Sequence, residues 1–369
     1  MRILLLSAYE ASSHKAWANS LMNGLGEHDW TYLALPPRHF AWRIRGNAMS
    51  FAFDKVFKPS IEQAYDLVIA TSMTDCVGLK AFCPNLQSIP WLLYFHENQF
   101  AYPASDKQQG LVEMQMVTLY SALAANQCVF NSHFNKHSFF EGARRLLKKL
   151  PDYVSPDWLS NIEGNAHVVP VPIDIDWKNR GERSRTNLFQ NNSPLRLVWN
   201  ARWEFDKGPE RLLAILQALQ SRGVDFEIAI LGEQFRTIPK AFEVIQHRFA
   251  SCIRQFGFAP SRDEYLGFLA TSDIVLSTAL HEFQGLAVLE AVALGCVPVL
   301  PARQVYPELF GPAYLYDSHL NDIAKEATAA VDRIVLLVNE ETTAPQVNEY
   351  QRATVLKHYR ALIENINTL

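Results

Sequence analysis

The feature that most constrains this chain is a series of short apolar runs, each four to seven residues long and each separated from the next by a segment of helical periodicity. The first half holds Ile3–Leu6, DLVIA (66–70), WLLYF (91–95), QCVF (127–130) and HVVPV (167–171). Runs this short and this uniformly apolar suit strands buried on both faces, and their alternation with helical segments implies a parallel sheet with helices on both sides. After a polar stretch, DIDWKNRGERSRTNLFQNNSP, the pattern restarts at LRLVW (195–199) and continues through FEIAILG (226–232), IRQFGF (253–258), DIVLST (273–278), VPVLP (297–301) and AYLY (313–316). The chain therefore reads as two doubly wound α/β units. In 369 residues this gives an N-terminal domain over 1–180, a linker over 181–194, a second domain over 195–350 and a C-terminal helix over 351–369 that packs back on the first domain.

Composition narrows the function. Nearly half of the residues are hydrophobic and a fifth are charged, the balance of a folded chain and not of a disordered one. The net charge is −4; residues 1–180 carry 16 basic and 16 acidic side chains, and the acidic excess falls in the second half. A generally nucleic-acid-coated protein is excluded, whereas local basic patches are not. Five scattered cysteines without a CxxC pair imply reduced thiols, a cytoplasmic setting and no zinc site. MRILLLSAYE lacks a signal-peptide cleavage pattern, and no stretch approaches the roughly 18 apolar residues of a membrane-spanning helix.

In doubly wound sheets ligands bind where strands end at their carboxyl edge, so the loops after strands carry the chemistry. The loop NARWEFDKGPE places Arg202 and Lys207 just after a strand, with Gly208 and Pro209 opening a helix. Two cations beside the free N–H groups of a helix N-terminus suit a diphosphate, although a solvated loop with proline in the first helical turn would use the same residues. HEFQGLAVLE sets Glu282 on a loop and Glu290 about two turns into an otherwise apolar helix, with Gly285 between them. A carboxylate among such neighbours needs a partner, and the hydroxyls of a ribose are a suitable one; a surface glutamate at a domain edge is the alternative.

His96, Glu97 and Asn98 end the strand WLLYF, where they suit an acceptor or a structural role; a metal site is not expected. SAYEASSHK puts Ser13, His14 and Lys15 at the first strand-to-helix turn without the glycines of a dinucleotide fingerprint. Two basic stretches lie in the first half. Arg38, Arg43 and Arg45 alternate with Phe40 and Trp42 in a segment, 30–53, without an acidic residue; Lys136, Arg144, Arg145, Lys148 and Lys149 follow His133 with Glu141 as the one acid. Cations among aromatics suit a phosphate backbone and stacked bases, and RRLLKK equally suits a solvated helix face.

Arg202 and Lys207 followed by Glu282 and Glu290 in E-x7-E resemble the donor site of the family 4 retaining glycosyltransferases, which have the GT-B fold. SHK, LPPRHFAWRIRGNA, YFHENQFAYP, VFNSHFN, NARWEFDKGPE, LGEQF and HEFQGLAVLEAVALGC make nearly the whole chain similar to the tRNA-queuosine α-mannosyltransferase group. The resemblance implies two Rossmann-like domains facing across a cleft, GDP-mannose as donor, queuosine-containing aspartate tRNA as acceptor, retention at the sugar, no cofactor, no metal and no membrane. It gives Arg202 and Lys207 the diphosphate, Glu290 the ribose and Glu282 the sugar hydroxyls. Phe283, Gln284, Gly285 and Leu286 would flank the sugar and phosphates together with Ser13 and His14, and His96 would lie near the reacting centre. Arg38, Arg43, Arg45, Glu97, Asn98, Lys136, Arg144 and Lys148 would meet acceptor or tRNA. A family 4 enzyme with a lipid or small-molecule acceptor, and an inactive nucleotide- or RNA-binding protein, are the competing expectations.

Overall fold

Strands buried on both faces need helices on either side, and the chain forms two such sandwiches. The computed structural model describes residues 1–101, 111–175, 193–234, 237–340 and 342–366. Two units emerge, one made of Met1–Pro172 with Tyr350–Leu369 and the other of Ile173–Glu349. Of the polar stretch read as a linker, 181–194, all but the last two residues lie outside the described ones.

The first unit holds β1 (Arg2–Ser7), β2 (Asp29–Ala34), β3 (Leu67–Thr71), β4 (Trp91–Phe95), β5 (Gln127–Phe130) and β6 (His167–Val168). They pair in parallel in the order β2-β1-β3-β4-β5-β6. Leu4, Leu6, Val68, Leu93, Phe95 and Phe130 belong to its core with Phe139 of the helix His133–Leu147. β2 has no counterpart among the apolar runs. As an edge strand it is mostly half-exposed, so its sequence DWTYLA carries no continuous apolar signal. The helix Arg352–Ile366 closes this unit: Val355, Tyr359, Leu362, Ile363 and Ile366 are buried at helical spacing, and Trp17 donates its indole N–H to the Tyr359 hydroxyl at 2.9 Å.

The second unit holds β7 (Leu195–Asn200), β8 (Phe226–Leu231), β9 (Ile253–Gly257), β10 (Ile274–Leu276), β11 (Val297–Pro301) and β12 (Leu315–Tyr316). Their order is β12-β11-β10-β7-β8-β9, again parallel. The run AYLY is shorter as a strand than expected, because Pro312–Tyr314 form a single 3-10 turn. β7 begins the series and lies beside β10 and β8, so the order reverses at β7 and β10. That is the position where such a sheet opens a crevice at its carboxyl edge. Cys76, Cys83, Cys128, Cys252 and Cys296 are free thiols. Among the described residues no helix is long and apolar enough to cross a membrane.

Candidate active site

Two loops meet at that switch point. The one after β7 makes a 3-10 turn over Phe205–Lys207, passes through Gly208 and enters the helix Pro209–Ser221. The one after β10 runs from Ser277 to Gly285 and enters the helix Leu286–Ala293. Gly208 has φ +66°, and a Cβ there would lie 2.2 Å from the Thr278 carbonyl oxygen, so only glycine lets the loops come this close. The Thr278 hydroxyl donates to the Lys207 carbonyl at 2.7 Å, while the amides of Leu280 and His281 donate to the Asp206 carbonyl at 2.8 and 3.2 Å. Between the loops lies a cavity lined by Asn200, Lys207, Ser277, Glu282, Gly285 and Tyr306 among others.

Lys207 is buried at the floor of this junction. Its ammonium donates to the His281 carbonyl at 2.8 Å and pairs with Glu282 at 3.2 Å and Asp206 at 3.3 Å. Burial opposes its charge, but Glu282 and Asp206 outweigh that and hold its pKa above the ordinary lysine value. Burial likewise opposes the Glu282 charge, and Lys207 with the Gly285 amide reverses the balance and brings its pKa down to about 2. Burial and Lys207 push His281 down to about 4, so its ring is neutral at pH 7.

The two carboxylates depart from their expected settings. Glu282 turns back on its own loop: Oε1 accepts from the amides of Phe283 and Gln284 at 3.1 and 3.4 Å, so two N–H groups expected beside the donor face this carboxylate. Phe283 and Gln284 are themselves buried, with Phe283 edge-on to His281 at 4.5 Å. Glu290 is the fifth residue of its helix, not two turns in, and the packed interior expected around it is replaced by a polar setting. Its side chain is 17% exposed and meets the Arg262 guanidinium and the Tyr265 hydroxyl, both on the helix Arg262–Ala270. Asn200, at the end of β7, donates to the Tyr265 oxygen at 2.6 Å. Arg202 stands exposed and pairs with Glu204 at 2.9 Å. Asp206, Tyr265, Arg262 and Asn200 escaped the sequence reading. Asn200 and Asp206 stand inside the quoted NARWEFDKG loop, whereas nothing in SRDEYLGFLA distinguishes Tyr265 from an ordinary helix residue.

In the first unit, His14 and His96 stack with ring centroids 4.0 Å apart, and Trp17 and Tyr94 meet His96 edge-on at 4.8 and 4.7 Å. Burial and the neighbouring His14 hold the His96 pKa well below the usual histidine value. Ser13 is exposed in the first turn of the helix Ser12–Gly24, and Glu97 is half-buried. Asn98 is not presented to an acceptor. It is fully buried, its Nδ2 donates to Asn135 Oδ1 at 2.8 Å and Ser138 Oγ at 2.9 Å, and its Oδ1 accepts from the Phe100 and Ala101 amides at 2.9 and 3.0 Å. Asn131 and Asn135 continue the network, to the His96 carbonyl at 2.7 Å and the Phe95 carbonyl at 2.9 Å. These asparagines fix the loop that carries His96.

The basic stretches separate in the same way. Arg38 and Arg45 are exposed, Arg43 is half-buried, and Trp42 of the helix Phe40–Phe53 is 58% exposed. Lys148 is exposed. Lys136, however, donates to the Ala166 carbonyl at 2.6 Å, and Arg144 pairs with Glu163. Both cations therefore tie the helix His133–Leu147 to its neighbours and are spent within the fold. Among the described residues no group of three or more His, Cys, Asp or Glu side chains is arranged to hold a metal ion.

Comparison with known proteins follows the two units. The family described as tRNA-queuosine alpha-mannosyltransferase N-terminal matches residues 2–173, and the family described as glycosyl transferases group 1 matches residues 182–354. A tRNA-queuosine alpha-mannosyltransferase of Drosophila melanogaster is 35% identical over 319 residues, 86% of this chain and 83% of its own. A GDP-mannose-dependent alpha-(1-6)-phosphatidylinositol dimannoside mannosyltransferase of Mycobacterium tuberculosis is 29% identical over 150 residues, 40% of this chain and 38% of its own. Among solved structures, an alpha,alpha-trehalose-phosphate synthase (UDP-forming) from Burkholderia vietnamiensis aligns over 100% of both chains with a TM-score of 0.67 at 15% identity. That identity carries the fold alone, and the fold is the GT-B class that the family resemblance implied.

Proposed function

The chain belongs to the tRNA-queuosine α-mannosyltransferase family and is a glycosyltransferase, and we propose that it transfers mannose from GDP-mannose to the cyclopentenediol of queuosine in the anticodon of aspartate tRNA, with retention at the sugar. The observation that carries the donor half is the buried Lys207 ammonium at the switch point, held between Glu282 and Asp206 beside the N-terminus of the helix Leu286–Ala293. A cation and a helix N-terminus at one point of a sheet's carboxyl edge suit a diphosphate. The mycobacterial relative's name supports the choice of GDP-mannose, and the Drosophila relative's name supports the acceptor.

In this reading the bond between the mannose anomeric carbon and the diphosphate oxygen breaks, and a bond to an acceptor hydroxyl oxygen forms on the same face. The acceptor proton passes to the departing diphosphate. Glu282, already bonded to Lys207 and to its own loop amides, is poorly placed as a covalent nucleophile, so the step runs through an oxocarbenium-like state. Charge developing on the diphosphate is met by Lys207, Arg202 and the helix dipole, the preorganised donors that dominate such catalysis. Glu282 takes sugar hydroxyls and Glu290 the ribose. His96, neutral in its aromatic setting, serves as a hydrogen-bonding partner rather than a cation.

The test is transfer of labelled sugar from a panel of sugar nucleotides to tRNA isolated from queuosine-replete and queuosine-free cells. Label from GDP-mannose in the first tRNA alone is the expected result. Transfer to lipid with neither tRNA labelled would replace the acceptor assignment.

A further inference from the structure

Glu290 is held by two donors of different character. One of its oxygens, Oε2, accepts from the Tyr265 hydroxyl, and the other, Oε1, meets the Arg262 guanidinium. Tyr265 is oriented from behind, because Asn200 donates its Nδ2–H to the phenolic oxygen. A phenol has a single proton, so with a donor already directed at its oxygen the hydroxyl hydrogen turns toward Glu290. The relay Asn200 to Tyr265 to Glu290 thus has one sense, and it joins the end of β7 to two helices. Burial and Glu290 hold the Tyr265 pKa well above the ordinary tyrosine value, which keeps the phenol a donor across the working pH range. Arg262 differs. Its side chain is 52% exposed and its guanidinium lies over the Tyr265 ring at 4.8 Å, a setting in which an ion pair is readily exchanged for other partners.

We infer that Tyr265 is a positioning residue which immobilises one oxygen of Glu290, so that the other is aimed at the ribose 2′- and 3′-hydroxyls of the donor, and that Arg262 is a stand-in which these hydroxyls displace. The inference rests on the reading of Glu290 as the ribose carboxylate. With Arg262 displaced, Oε1 has both of its lone-pair sites for the two hydroxyls, whereas a carboxylate that Tyr265 did not hold would turn freely and hydrogen-bond the diol less well. Selection of a ribonucleotide over a 2′-deoxyribonucleotide then depends on a phenol that never touches the sugar.

Calorimetric binding of GDP and 2′-deoxy-GDP to the full chain tests this in the wild type and in Tyr265→Phe, Asn200→Ala, Arg262→Ala and Glu290→Ala. The wild type should favour GDP by about tenfold, the equivalent of one charge-assisted hydrogen bond, and Glu290→Ala should abolish that preference. Tyr265→Phe, which removes one oxygen from a ring that still fits, should lose most of the preference while binding 2′-deoxy-GDP to within about twofold of the wild type. Asn200→Ala should follow in the same direction, and Arg262→Ala should retain the preference. A merely structural tyrosine would weaken both nucleotides alike. A wild-type ratio in Tyr265→Phe, with the ratio lost in Glu290→Ala, would overturn the inference and leave the ribose reading standing. An unchanged ratio in Glu290→Ala would overturn that reading and the inference with it.

Discussion

Lys207 and Glu282 stand 75 residues apart in the chain, and their charged atoms lie 3.2 Å apart at the junction of two loops. Because each opposes the other's desolvation, neither acts alone in stability or in binding. In the proposed function a diphosphate that recruits Lys207 would share it with Glu282, which would couple donor binding to the placement of Glu282.

Removing one partner should show this. Lys207→Met leaves Glu282 and Asp206 side by side without their counter-charge and should cost about 3 kcal/mol of stability, the scale of breaking a buried pair. Turnover should fall by about a hundredfold or more as a preorganised donor is lost. The double variant Lys207→Met/Glu282→Gln should regain much of the denaturation midpoint and none of the turnover. Chemical denaturation beside a transfer assay reads both.

The pH dependence of stability has a defined origin at this site. His281 has an ordinary value of 6.5 that falls to about 4 in the fold, so below pH 6.5 the unfolded chain binds the proton first and stability declines as pH drops. Glu282 is lowered from 4.5 to about 2, so its contribution is present above 4.5 and is lost only as pH falls toward 2. Lys207 is raised above 10.5, and its contribution persists until pH rises through that higher value. Between pH 7 and 4.5 the loss should therefore come from buried histidines, His281 and His96 foremost. His281→Asn should flatten the curve by roughly 2 to 3 kcal/mol over that interval, measured by urea denaturation at each pH.

The asparagine network makes a prediction opposite to an RNA-binding role for Asn98. Asn98→Ala unties the Phe100 and Ala101 amides and frees Asn135, and should destabilise the fold by roughly 2 to 4 kcal/mol. Transfer should fall because the loop holding His96 loosens, while GDP affinity, which the second unit provides in this account, should be unchanged.

RNA docking should depend on the cations that remain exposed. Neutralising Arg38, Arg45 and Lys148 should weaken tRNA binding and reduce the slope of log affinity against log salt by about 0.7 to 0.9 per residue. Lys136→Gln and Arg144→Gln should lower the melting temperature and change that slope much less, since both cations already serve the fold. Binding titrations from low to moderate salt distinguish the two groups.

What the sequence disclosed follows from what is local. Strands such as WLLYF and VPVLP are covered on both faces, so their burial is written in consecutive residues; the edge strand DWTYLA is not covered and left no such mark. The loop NARWEFDKGPE and the segment HEFQGLAVLE were recognisable because residue type and position after a strand coincide. The direct contact of Lys207 with Glu282 was not, because it depends on β7 and β10 being neighbours in the sheet. Apolar flanks suggested an interior for Glu290, yet its surroundings are decided by Tyr265 and Arg262 on another helix. Lys136 and Arg144 read as free cations because a carbonyl at Ala166 and a carboxylate at Glu163 have no signature in the stretch that contains the cations.

Nucleoside mass analysis after incubating GDP-mannose with queuosine-containing aspartate tRNA tests the account most directly. It predicts that queuosine is converted to a hexosyl derivative bearing α-linked mannose, and that the Lys207→Met protein forms almost none. Unmodified queuosine, with the hexose transferred instead to another acceptor supplied in the same reaction, would contradict it.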